Sequence, residues 1–71
     1  MRLLLFFHNR QEYLRAQDFF ASNMSEFAPY DSRDSYNCLI FDEDNDIDAL
    51  ELALCDELTN NDFETFYFLA E

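Results

Sequence analysis

Two short stretches, Leu3-Leu4-Leu5-Phe6-Phe7 and Asn37-Cys38-Leu39-Ile40-Phe41, restrict what this chain can fold into more than any other feature. Successive side chains of a strand point to opposite faces, so a run that is apolar at adjacent positions has to be covered on both. Both stretches therefore read as central strands of a sheet.

The segments between them read differently. Asn9 offers a helix N-cap, with Glu12 three residues later as in a capping box, and a helix is expected to about Asn23. On a 100° wheel Tyr13, Phe20 and Met24 fall on one stripe flanked by Ala16 and Gln17, which predicts the core-facing side and leaves Phe19 off it. Ser25 to Tyr36 holds the only proline, Pro29, and reads as an irregular edge strand. After Phe41, Asp46 or a neighbour caps a second helix whose Ile47, Leu50, Leu54 and Leu58 recur at helical spacing, ending near Thr59-Asn60-Asn61-Asp62. Phe63 to Leu69 reads as a closing strand.

The order is thus β-α-β-β-α-β, and the all-apolar strands are the first and third. That pattern resembles a ferredoxin-like α+β sandwich, in which those two strands lie in the middle of an antiparallel sheet and two helices cover one face. The alternative is a three-stranded β-α-β-α-β sheet, should the proline-bearing segment form no strand. Either way one sheet face lacks helices. Leu4 and Phe6, with Phe66 and Phe68, are expected to give that face an apolar patch that a partner or a second copy covers.

Seventy-one residues support one hydrophobic core, so a single domain over 1–71 is expected. Nine Phe and four Tyr, with no Trp, must fill much of it. Cys38 and Cys55 accompany no metal-ligand spacing and are expected as reduced thiols in a cytoplasmic protein. The longest apolar run is far below the ~20 residues that span a bilayer.

Charge bounds the function. Sixteen carboxylates stand against four arginines and no lysine, a formal net charge of -12. Such a surface disfavours direct contact with nucleic acid or anionic membranes, whose phosphates are met by Lys and Arg. It favours a basic protein surface. All four arginines lie at or before position 33, and the segment from Asp42 to Glu57 holds eight acids and no cation. Asp42, Glu43, Asp44, Asp46, Asp48, Glu51, Asp56 and Glu57 are accordingly the candidate partner-binding residues, each a phosphate surrogate for a target Arg or Lys.

Chemistry beyond binding finds little support. Asp42, Asp44, Asp46 and Asp48 alternate as in a calcium loop, but position twelve holds Ala53 and the chain has no glycine for the turn, so no metal site and no cofactor are expected. His8 is the only histidine, and no nucleophile triad or glycine-rich phosphate loop can be assembled. The chain is expected not to be an enzyme and to be too small to hold a substrate-sized pocket beside its core. In size and charge it resembles the small acidic inhibitors that bacteriophages and mobile elements direct against host CRISPR, restriction or repair machinery. The resemblance implies an acidic inhibitor that mimics nucleic acid on a nucleic-acid-binding protein. The alternative is a structural or regulatory module that dimerises through the apolar sheet face, its acidity serving solubility alone.

Overall fold

In the computed structural model, which describes all residues 1–71, the chain alternates as the apolar runs predict. The elements are β1 (Arg2–Phe7), α1 (Arg10–Ala21), β2 (Asp31–Arg33), the 3-10 turn Asp34–Tyr36, β3 (Cys38–Asp42), α2 (Ile47–Asn60) and β4 (Phe66–Ala70). The strands form one antiparallel sheet in the order β2-β3-β1-β4. This is the ferredoxin-like arrangement, with both all-apolar strands in the centre. Since β2 pairs with β3 through Asp31↔Ile40, Ser32↔Leu39 and Arg33↔Cys38, the three-stranded alternative is excluded. β2 is short because the chain departs into the 3-10 turn, and Pro29 lies ahead of it rather than within it.

The core lies between the sheet and the helices. Leu3, Leu5, Phe7, Leu39 and Phe41 from the sheet meet Tyr13, Ala16, Phe19, Phe20, Leu54 and Leu58 from the helices, all buried. Much of it is one chain of rings: Phe68, Phe66, Phe7, Phe63, Phe19, Phe20 and Phe41 follow one another at centroid separations of 5.2 to 6.5 Å. Tilted and edge-on pairs at such distances add about 0.5–1.5 kcal/mol each beyond area burial. This ladder explains why Phe19 is buried although it lies off the predicted stripe: it joins Phe20 to Phe63 of the loop after α2. Met24 fails in the opposite sense, because α1 ends at Ala21 and leaves it 70% exposed.

Local signals fix the helix ends. Asn9 Oδ1 accepts from the N–H groups of Gln11 and Glu12, satisfying two free donors of α1. Glu12 does not return to Asn9. Its Oε1 accepts instead from Glu64 N at 3.1 Å and Thr65 N at 3.2 Å, tying α1 to the approach of β4. Asp46 Oδ1 accepts from Ala49 N and caps α2. At the far end of α2 no cation lies in its own last turn, and Arg15 of α1 supplies one. Its guanidinium donates to Asn61 O and Asp62 O and sits 3.8 Å from the Phe63 ring centroid.

With no glycine in the chain, the left-handed backbone falls to Asn23, Asn37 and Asp62. Asn and Asp are the residues that tolerate it best after glycine. The last strand begins at Phe66, three residues later than expected, because Phe63 turns into the core before the chain extends.

Candidate partner-binding surface

The acids from Asp42 onward gather where β3 leaves the sheet. Asp42 ends β3 opposite Arg2, and Arg2 and Glu71 exchange both backbone hydrogen bonds, so Asp42 and Glu71 flank one position of β1. Glu43 N donates to Met1 O, holding the acidic turn against the start of the sheet. Within the turn the Glu43 carboxylate accepts from Asn45 N, and Asp44 is exposed at the tip. Asp48 and Glu51 follow, exposed, on the first turns of α2.

Not all eight predicted residues join this group. Asp56 and Glu57 lie eight and nine residues beyond Asp48, about 12 Å along the helix, and Glu57 is turned about 180° from it. Glu57 is half-buried, and its Oε2 has no hydrogen-bond partner. Asp46 belongs to the group in space, but one carboxylate oxygen is committed to capping. The surface is therefore Asp42, Glu43, Asp44, Asp48 and Glu51, joined by Glu71. Sequence reading missed Glu71, because only the pairing of β4 with β1 brings it to Asp42.

The arginines leave Asp42, Glu43, Asp44, Asp48 and Glu51 without an ion pair, and only Glu71 of this surface is met by one. Arg10 donates to Asp34 Oδ2, Asp34 O and Asn37 Oδ1 and lies over the Tyr13 ring. The Arg10 hydrogen bond first, and one from the Tyr13 hydroxyl second, hold the Asp34 carboxyl below the usual carboxylate range. Arg15 is spent on α2, and Arg2 stands over the Tyr30 ring at 5.0 Å. Arg33 reaches Glu71 at 3.9 Å. None of the eight acids from Asp42 to Glu57 forms an ion pair. Over a surface of 4599 Å² the net charge averages one per about 380 Å².

The helix-free sheet face differs from the expectation in a way the strand register explains. Phe66 and Phe68 pair with Phe7 and Leu5, so they share the helix side and pack against the main core. Tyr67 and Leu69, opposite Phe6 and Leu4, take their place on the open face. The one-residue difference follows from the later start of β4, which inverts which parity faces out. Leu4, Cys38 and Ile40 form the floor of that face and are nearly inaccessible. Arg33 on the β2 edge and Glu71, just past the end of β4, meet across it. Tyr67 stacks on Phe6 at 5.1 Å with His8 4.8 Å away, and the exposed apolar surface shrinks to Phe6, Tyr67 and Leu69.

The remaining features complete the chemistry. Burial pushes up the Tyr13 phenol and the Cys38 thiol. Both cysteines are free, Cys38 buried and Cys55 half-exposed. No three His, Cys, Asp or Glu side chains converge as a metal site. The molecule does hold one open cleft of about 320 Å³, larger than the chain length suggests, between the end of α1 and the β2 edge; Gln17, Phe20, Pro29, Asp31, Ser32 and Leu39 contribute to its walls. No helix is long and apolar enough to cross a membrane. Against protein-family models, curated proteins and solved structures alike, the chain returns no significant match.

Proposed function

We propose that this protein is a non-catalytic acidic regulator that docks on the basic nucleic-acid-binding surface of another protein and occupies the place of the phosphates. The observation that carries this reading is the disposition of charge: every arginine is engaged within the fold, while the acids from Asp42 to Glu51 stand without an ion pair beside Glu71. Their concentration at one end of the sheet offers a basic groove several carboxylates at once, and oppositely charged surfaces steer association. Inhibition of host CRISPR, restriction or repair machinery by a bacteriophage-encoded protein in the cytoplasm is the setting that suits such a molecule.

The test begins with capture of partners at low salt and their identification by mass spectrometry, followed by competition with duplex DNA for the purified partner. DNA and this protein are expected to exclude one another, with affinity falling steeply as salt rises. Replacing Asp44, Asp48 and Glu51 by Asn, Asn and Gln keeps the Asp46 cap and is expected to weaken binding about tenfold or more. Simultaneous binding of DNA and protein, or full affinity in the neutralised variant, would show the reading to be wrong.

A further inference from the structure

The two edges of the sheet are built on different terms. β2 has three residues, places Asp31 and Arg33 on one face, follows Pro29 closely and ends in a 3-10 turn. Short length, charge and a nearby proline are the usual means by which an edge is closed to further pairing. β4, Phe66-Tyr67-Phe68-Leu69-Ala70, has none of them. It is five residues of high strand propensity without a charge or proline.

The register shows which of its backbone groups are free. Arg2 and Glu71 form a hydrogen-bonded pair, and His8 N donates to Thr65 O, so Thr65, Tyr67, Leu69 and Glu71 direct their backbone groups toward β1. By the alternation of an antiparallel ladder, Phe66, Phe68 and Ala70 direct theirs outward. Three N–H and C=O pairs therefore line the outer edge, with Tyr67 39% and Leu69 52% exposed beside them.

Charge complementarity selects the occupant. Glu64 and Glu71 bracket β4, and the acidic turn leading into α2 lies at the Glu71 end of the sheet, held to Met1 on the other side of β1. A second copy brings the same acids, whereas a strand carrying Lys or Arg meets them with opposite sign. We infer that β4 accepts an additional strand from a basic partner, its main chain pairing with Phe66, Phe68 and Ala70 and its cationic side chains meeting Glu64 and Glu71, with the acidic turn adding to the attracting field. This rests on the proposed basic partner and adds the mode of capture: main-chain bonds supply affinity and charge supplies selection.

A synthetic peptide alternating lysine and valine is the probe, read by amide hydrogen exchange and NMR titration of the full chain. Binding is expected to slow exchange at Phe66, Phe68 and Ala70. The same peptide N-methylated at alternate residues, unable to pair, is expected to bind about tenfold more weakly, as is the original peptide to Ala70→Pro, which removes one outward donor. If Ala70→Pro fails to fold, the N-methylated peptide still decides. Equal binding of the N-methylated peptide with no protection of the three amides overturns strand addition and leaves the basic-partner reading intact. Equal binding of a peptide with glutamate in place of lysine overturns the basic character of the occupant. Protection of these amides in the protein alone, rising with concentration alongside a doubled mass in light scattering, assigns the edge to a second copy and overturns the proposal.

Discussion

The Glu12 carboxylate, on the first turn of α1, holds together segments more than fifty residues apart in sequence. A charged acceptor shared by two backbone donors contributes about 1–3 kcal/mol, a large share of the ~4–10 kcal/mol available to a chain of this length. Glu12→Ala is therefore expected to lower the urea midpoint markedly, and Glu12→Gln, which keeps an acceptor oxygen, to lower it less. Tyr13 predicts a pH dependence. Its phenol lies above the ordinary value, chiefly through burial. The folded state thus favours the protonated form, a contribution fully present below the ordinary Tyr pKa of about 10 and lost as pH rises through the raised value. Tyr13→Phe leaves Gln17 without the hydroxyl it donates to, which costs about 1 kcal/mol at neutral pH. The variant and the parent are expected to converge in stability as pH rises past 10, measured by denaturant titration at successive pH values.

Among the elements, α2 depends most on its neighbours. The two carbonyls just past its C-terminus, Asn61 O and Asp62 O, are met by Arg15 from α1, which also covers Phe63. Arg15→Met preserves the apolar stem while removing the donors, and a loss of about 1–3 kcal/mol is expected in thermal or urea unfolding. β1, β3 and α2 were legible because their patterns leave no choice: both parities apolar in the strands, one stripe in the helix. β4 was legible as a strand but not in its facing, since five of the seven residues from Phe63 to Leu69 are large and apolar or aromatic, four of them consecutive, and parity alone cannot mark where extension begins. Phe19 and Glu12 were misread for a related reason. Both answer to the loop after α2, whose position is set by tertiary packing and leaves no local periodicity. The acidic turn was found from charge alone; the rise and rotation of α2 separate Asp56 and Glu57 from it, while adding Glu71 required the register.

For the molecule as a whole, the carboxylates repel at all pH values where they are ionised, and the four arginines are consumed in local roles. Added sodium chloride screens such repulsion with a Debye length of about 8 Å at 0.15 M. The melting temperature is expected to climb between low and physiological salt, opposite to the behaviour of a fold held mainly by surface ion pairs. Substituting Asn and Gln for Asp44, Asp48 and Glu51 should reduce that salt dependence while leaving the fold intact, measured by calorimetry at both salt concentrations.

The stacked Phe6 and Tyr67 rings also give the protein an optical signature. With no tryptophan, its ultraviolet emission comes from four tyrosines in distinct settings: Tyr13 sealed in the core, Tyr30 beneath Arg2, Tyr36 in the 3-10 turn and Tyr67 against Phe6 on the last strand. Tyr67 is thus a built-in chromophore next to the unpaired edge. Near-ultraviolet circular dichroism of the unlabelled chain can follow the arrival of any strand there, and Tyr67→Phe separates its signal from that of the core.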